Sequence, residues 1–139
     1  MRKTGVAFVL LVIASVPHLV DAGVARRQYC EDHYREVFLA ARRAVSNVGA
    51  RIIHADDLSG SIEGRIEAEI YGHTIEISVW VKRDRDGAGG VEAMWVQVKA
   101  KFRKMKDKNL DEEQKEQLWM IENEVMELIR QGADCGPPQ

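Results

Sequence analysis

An α+β domain is expected from this chain, built in the order α-β-β-β-β-α as a four-stranded antiparallel meander with two helices packed on one face. Apolar residues recur at steps of three and four near both ends and at steps of two through the middle. Glycine-bearing turns separate the alternating segments. Such a meander has one apolar and one solvated face, and two amphipathic helices are the cover that the apolar face requires.

The first helix is read from Gln28 to Asn47, with Tyr34, Val37, Phe38, Ala41, Ala44, Val45 and the following Val48 on one face and Gly49 as its stop. Glu31 and Asp32 fall in its first turn and Arg42 and Arg43 in its last, as the helix dipole favours. A short strand, Ala50 to Ala55, follows and is closed by Asp56-Asp57-Leu58-Ser59-Gly60; Ile52 and Ile53 compete for its inward direction. Three longer strands alternate cleanly: Ile62, Gly64, Ile66, Ala68 and Ile70; then Ile75, Ile77, Val79 and Val81; then Met94, Val96, Val98, Ala100 and Phe102.

Turn chemistry supplies the registers. Tyr71-Gly72-His73-Thr74 fits a two-residue type II′ hairpin, which pairs Ile70 with Ile75, Ala68 with Ile77 and Ile66 with Val79. Across the longer loop Asp84 to Gly90, pairing Val81 with Met94 keeps the apolar sets together. The second helix runs from Leu110 to Gln131, opened by Asn109 with Glu112 in a capping-box spacing, striped by Leu118, Ile121, Val125, Leu128 and Ile129, and stopped by Gly132.

The amino terminus reads as a secretory signal. Arg2 and Lys3 precede the apolar run Val6 to Val16, and small residues lead to Ala22, where cleavage is placed, with Ala25 as the alternative. A run of eleven residues falls short of the roughly 17 to 25 that a helix needs to cross a bilayer, so a retained anchor is the weaker reading. The expected organisation is residues 1–22 signal, 23–27 a short segment, 28–132 one domain and 133–139 a tail. Cys30 follows Arg27-Gln28-Tyr29 and so lacks a lipobox. In an oxidising compartment Cys30 and Cys135 are expected to form a disulfide. The ring would exceed a hundred residues, worth about 4 to 5 kcal/mol in chain-entropy reasoning. If the helices lie antiparallel on the sheet, the start of the first meets the end of the second and brings the two cysteines together. Two cysteines without CxxC or paired histidines exclude a four-ligand zinc site, and no cofactor is expected.

Composition narrows function by exclusion. Of 139 residues 45% are hydrophobic, 30% charged and 6% aromatic, which rules out collagen-like, mucin-like and wholly disordered chains. A net charge of −2 gives no general reason to seek nucleic acid. The chain holds no GxSxG, HExxH, Walker loop or GxGxxG, and its histidines stand singly, so it is expected not to be an enzyme. The basic run from Lys99 to Lys108 is read as a solvated strand end and connector.

The inferred registers place Arg65, Trp80 and Trp95 in one row across the solvated face, beside charged rungs pairing Glu76 with Lys99 and Glu63 with Lys82. Exposed tryptophan with arginine is the composition of binding hot spots, and the competing reading is a cross-strand aromatic pair that only stabilises the sheet. His54 would join that row if Ile53 faced inward. The expected role is a non-enzymatic binding module of the periplasm or exterior, meeting a protein or envelope component, with a homodimer compatible. The alternative is a carrier of a small apolar ligand held between sheet and helices, with Met94, Met120 and Met126 as linings.

The stretch Val48 to Lys82 (VGARIIHADDLSGSIEGRIEAEIYGHTIEISVWVK), with Asn47 before it, covers about a quarter of the chain. It resembles an uncharacterised family of small bacterial exported proteins and lipoproteins in its leading helix, strand, acidic turn, G-x-I-x-A strand and following strand. The basic connector, the long acidic last helix and the missing lipobox cysteine depart from that pattern. The resemblance implies an envelope location and an α+β domain, and it supplies no activity and no site residues.

Overall fold

The computed structural model describes residues 25–68, 73–84 and 93–137. Strand β1 (Arg26–Glu31) leads into α1 (Tyr34–Asn47), then β2 (Arg51–Asp56), β3 (Ser61–Ala68), β4 (His73–Asp84) and β5 (Ala93–Phe102). A single 3-10 turn at Asp107–Asn109 precedes α2 (Glu112–Gly132). The strands form a five-stranded sheet in the order β1-β5-β4-β3-β2, antiparallel at every step. The fold is α+β with two helices, as expected, but the sheet has a fifth strand, which comes first among the described residues.

Residues 28–31, expected in the first helix, belong to that strand. The segment RRQYCE alternates: Gln28 and Cys30 are buried, whereas Arg27 and Glu31 are exposed. None of the residues that build the α1 stripe precedes Tyr34, so residues 28–33 had no periodic claim to a helix. His33 is extended and forms the N-cap of α1, and Asp32 Oδ1 accepts its backbone N–H at 2.7 Å. Glu31 and Asp32 therefore lie outside the helix, Glu36 is the acidic residue in its first turn, and its last turn holds no basic residue.

The Cys30–Cys135 disulfide is present, by a different geometry from the one expected. Cys135 does not hang from a helix end beside a helix start; it pairs with Cys30 as a one-residue antiparallel bridge on the free edge of β1. The Glu31 N–H donates to the Asp134 carbonyl and the Gly136 N–H to the Tyr29 carbonyl, each at 2.8 Å. Residues expected to be a short leader and a tail, Arg26 and Arg27 at one end and Asp134 to Gly136 at the other, thus belong to the folded unit.

Both inferred registers are displaced by even numbers of residues. Ile66 pairs with Ile75, and not with Val79; Val81 pairs with Val96, and Met94 with Arg83. Ile70, Tyr71 and Gly72 of the expected hairpin turn lie outside the described residues, and His73 and Thr74 are strand residues. Close approaches set the β3 register. A Cβ on Gly64 would stand 2.6 Å from Val45 of α1, and one on Gly60 (φ +77°) would collide with the Val81 carbonyl oxygen. The Val81 N–H also donates to the Gly60 carbonyl at 2.8 Å, locking the start of β3 beside the far end of β4. On β2 the competition resolves with Ile52 packed against the core and Ile53 exposed, through a bulge between Ile52 and His54.

The helices bury their stripes on one sheet face. Val37, Ala41 and Val45 of α1 and Leu118, Val125, Met126 and Ile129 of α2 join Ile62, Ile75, Ile77, Val79, Met94, Val96, Val98 and Phe102 in one core. Ala40 of α1 touches Gly132, where a Cβ would lie 3.1 Å from its own. The α2 capping box is made by Asp111 and Gln114, two residues beyond the Asn109 and Glu112 expected: Asp111 Oδ1 accepts the Gln114 N–H at 2.7 Å and Gln114 Oε1 accepts the Asp111 N–H at 3.0 Å.

Two buried polar side chains complete the seam between α2 and the sheet. Pairing of β1 with β5 reaches Arg26 and Val98, and the next inward N–H of β5, at Ala100, donates to Glu122 Oε2 at 2.8 Å. Gln28 Nε2 donates to the Met126 carbonyl at 3.1 Å. A helix side chain thus satisfies a strand donor just past the last β1–β5 pair among the described residues, as a buried N–H requires.

Candidate functional site

The uncovered face of the sheet holds the residues singled out from the sequence, rearranged by the true registers. Tyr29, Trp95 and Lys82 form one rung, and Arg27, Gln97, Trp80 and Ser61 form the next. Trp80 and Trp95 are therefore diagonal neighbours on adjacent strands, a spacing of about 7 to 8 Å. Tyr29 meets Trp95 edge-to-face with centroids 5.2 Å apart and planes at 67°, and the Arg27 guanidinium lies 5.1 Å from the centre of the Trp95 ring. Both tryptophans are half-buried. Each keeps part of an aromatic surface in solvent, on a face that neither helix covers.

Arg65 is not part of this group. Its rung is Arg51–Arg65–Glu76–Lys101, four residues along β4 from Trp80, or about 14 Å of extended chain. Arg65 Nε lies 3.5 Å from Glu76 Oε2, and Lys101 Nζ lies 3.7 Å from Glu76 Oε1. The expected rungs of Glu76 with Lys99 and Glu63 with Lys82 do not form; Glu63, Ser78 and Lys99 share a rung between the two groups. The row drawn from the inferred registers combined two clusters, one aromatic and one ionic. His54 is exposed on the Glu63 rung, placed there because the bulge turns Ile53 outward, the reverse of the condition set for it.

Tyr29 and Arg27 join the group because their segment is a strand and not the start of a helix. The signal was present in the alternation of Arg27, Tyr29 and Glu31 with Gln28 and Cys30. Met94 and Met126 are fully buried in the core, and Met120 is 58% exposed on α2. The three methionines therefore do not line a common space between sheet and helices. Among the described residues no group of three His, Cys, Asp or Glu side chains could hold a metal ion, and no helix is long and apolar enough to cross a membrane.

The sheet edges are guarded by different devices. The outer side of β1 carries the Cys135 bridge. The β2 edge is kinked by its bulge and flanked by Arg51 and Asp56, features that discourage strand addition. No protein-family model matches the chain and no curated protein matches it.

Proposed function

We propose that the protein is a small exported, non-enzymatic binding module whose contact surface is the open sheet face around Trp80, Trp95 and Tyr29, with Arg27 and Lys82 at its margin. The carrying observation is Trp95, wedged edge-on by Tyr29 and overlaid by Arg27 on a face that both helices leave uncovered. Half-buried aromatics held by neighbours lose little side-chain freedom on binding, and tryptophan, tyrosine and arginine are the residues that dominate protein contacts. The N-terminal charge and apolar order together with the disulfide support export. A protein partner fits this surface better than a nucleic acid, because the chain carries a net negative charge.

The test places a photo-crosslinking amino acid at position 80 or 97 in the expressing cell, with position 120 on α2 as the control. A discrete adduct from the sheet positions and none from α2 is expected; equal labelling at all three, or none at 80 and 97, overturns the reading. Trp80→Ser with Trp95→Ser should abolish the adduct formed from position 97 while the protein still unfolds cooperatively. Loss of folding in that variant would make the aromatic group structural.

A further inference from the structure

A concavity lies between the amino-terminal half of α1 and the β2–β3 turn, with a volume of about 500 Å³. It is within the range of roughly 300 to 1,000 Å³ typical of small-ligand sites. Arg35 and Arg42 stand two turns apart along its helix wall with Leu39 between them, and Arg83 from the end of β4 closes it. Asp57 is the one carboxylate among the described lining residues, set against Arg35 and Arg42 on the helix wall, so that wall is cationic. Among the described residues neither Arg35 nor Arg42 has an ion-pair partner.

The cleft is preformed. The Tyr34 hydroxyl donates to the Asp57 carbonyl at 2.6 Å, tying helix to turn, and the Arg83 guanidinium packs 4.0 Å from the Tyr34 ring centre. In the turn itself Asp56 Oδ1 accepts the Leu58 N–H at 3.0 Å and the Asp56 carbonyl accepts the Gly60 N–H at 2.9 Å. This rigid turn holds Leu58 93% exposed at the mouth of the cleft. A large apolar side chain held in water by a fixed backbone, beside a floor containing Phe38 and a wall of arginines, is matched by a ligand that is apolar at one end and anionic at the other.

We infer that this cleft binds a small amphipathic organic anion, its acidic head between Arg35 and Arg42 and its apolar body against Leu39, Phe38 and Leu58. Guanidinium groups hold carboxylate or phosphate oxygens through charge-assisted, often paired hydrogen bonds, and burying the apolar body against leucine and phenylalanine adds the rest. The site is separate from the tryptophan belt and does not depend on it.

The experiment titrates the oxidised protein with decanoate, decyl phosphate and decanol, using calorimetry and amide NMR. Decanoate or decyl phosphate should bind saturably, shifting the signals of Tyr34, Arg35, Arg42 and Leu58, and the tighter of the two identifies the head group. Arg35→Gln with Arg42→Gln should weaken binding about tenfold or more, as should raised salt, with the melting transition unchanged because both side chains are exposed. Leu58→Ser should weaken binding with the helix untouched. Decanol binding as tightly as the anions, unchanged affinity in the arginine variant, shifts confined to the Trp80 and Trp95 face, or no saturable binding would each overturn the inference.

Discussion

The two edges of the sheet are closed by devices of opposite kinds, and the difference follows how far each edge strand has travelled along the chain. Strand β2 is joined to β3 by one tight turn, so its pairing closes a small loop at little entropic cost, and a bulge and two charges protect its free side. Strand β1 pairs with β5, and its other side is covered by a segment 105 residues away at Cys135. Closing so long a loop is costly, and there the chain uses a covalent bond. The local edge is held by geometry and the remote edge by chemistry.

Breaking the remote edge should have the largest effect. Cys30→Ser with Cys135→Ser is expected to lower stability by up to about 4 to 5 kcal/mol, measured by denaturant unfolding. Hydrogen exchange should show the Glu31 and Gly136 amides losing protection before those of β2 and β3, since both bond across the bridge. Equal loss of protection across the sheet would mean that the two edges are not independent units.

The second effect lies on the same side of the sheet. Glu122→Leu removes the acceptor of the Ala100 N–H, and leaving a buried donor unpaired should cost about 1 to 3 kcal/mol. Glu122→Gln keeps an acceptor oxygen and should retain most of that stability. A smaller change is expected from Trp95→Leu, which keeps an apolar side chain on the face but gives up the edge-to-face pair with Tyr29, worth about 0.5 to 1.5 kcal/mol, with the fold preserved.

The smallest prediction concerns the local edge. The Leu58 N–H, followed by Ser59, holds the Asp56 carboxyl below its ordinary value of 3.8. A carboxyl depressed in the folded state contributes its stabilisation fully above the ordinary value and loses it as pH falls through the lower folded value. The Leu58 amide resonance should therefore move toward its unbonded position below about pH 4, with little change in global stability. Asp56→Asn should remove that pH dependence, and an unchanged titration in the variant would assign it to another carboxylate.

The face of almost every strand residue was legible, and the composition of the candidate site was not. Alternation assigned Trp80, Trp95 and Arg65 to the solvated face, and all three are there. Which of them are neighbours depends on register, and a slip of two or four residues leaves every side chain on its own face. Apolar pattern alone is therefore silent on the very quantity that groups a surface: it sets Arg65 beside the tryptophans, whereas its ion-pair partner is Glu76, which Lys101 shares. Tyr29 and Arg27 were lost for a related reason: six alternating residues ahead of a strong helical stripe are easily absorbed into it.

What the sequence by itself determined is the set of local patterns: two amphipathic helices, alternating strands, a charged-then-apolar order at the N-terminus and a widely separated cysteine pair. Tertiary structure decided how these pieces align. The approach of Gly64 to Val45 and of Gly60 to Val81 chose one register for β3 among several that bury the same residues, and the return of Cys135 to β1 added a strand to the far side of the sheet. Local pattern sets which way a side chain faces because that depends on one backbone; its neighbours depend on contacts between segments distant in sequence, which no window of one chain contains.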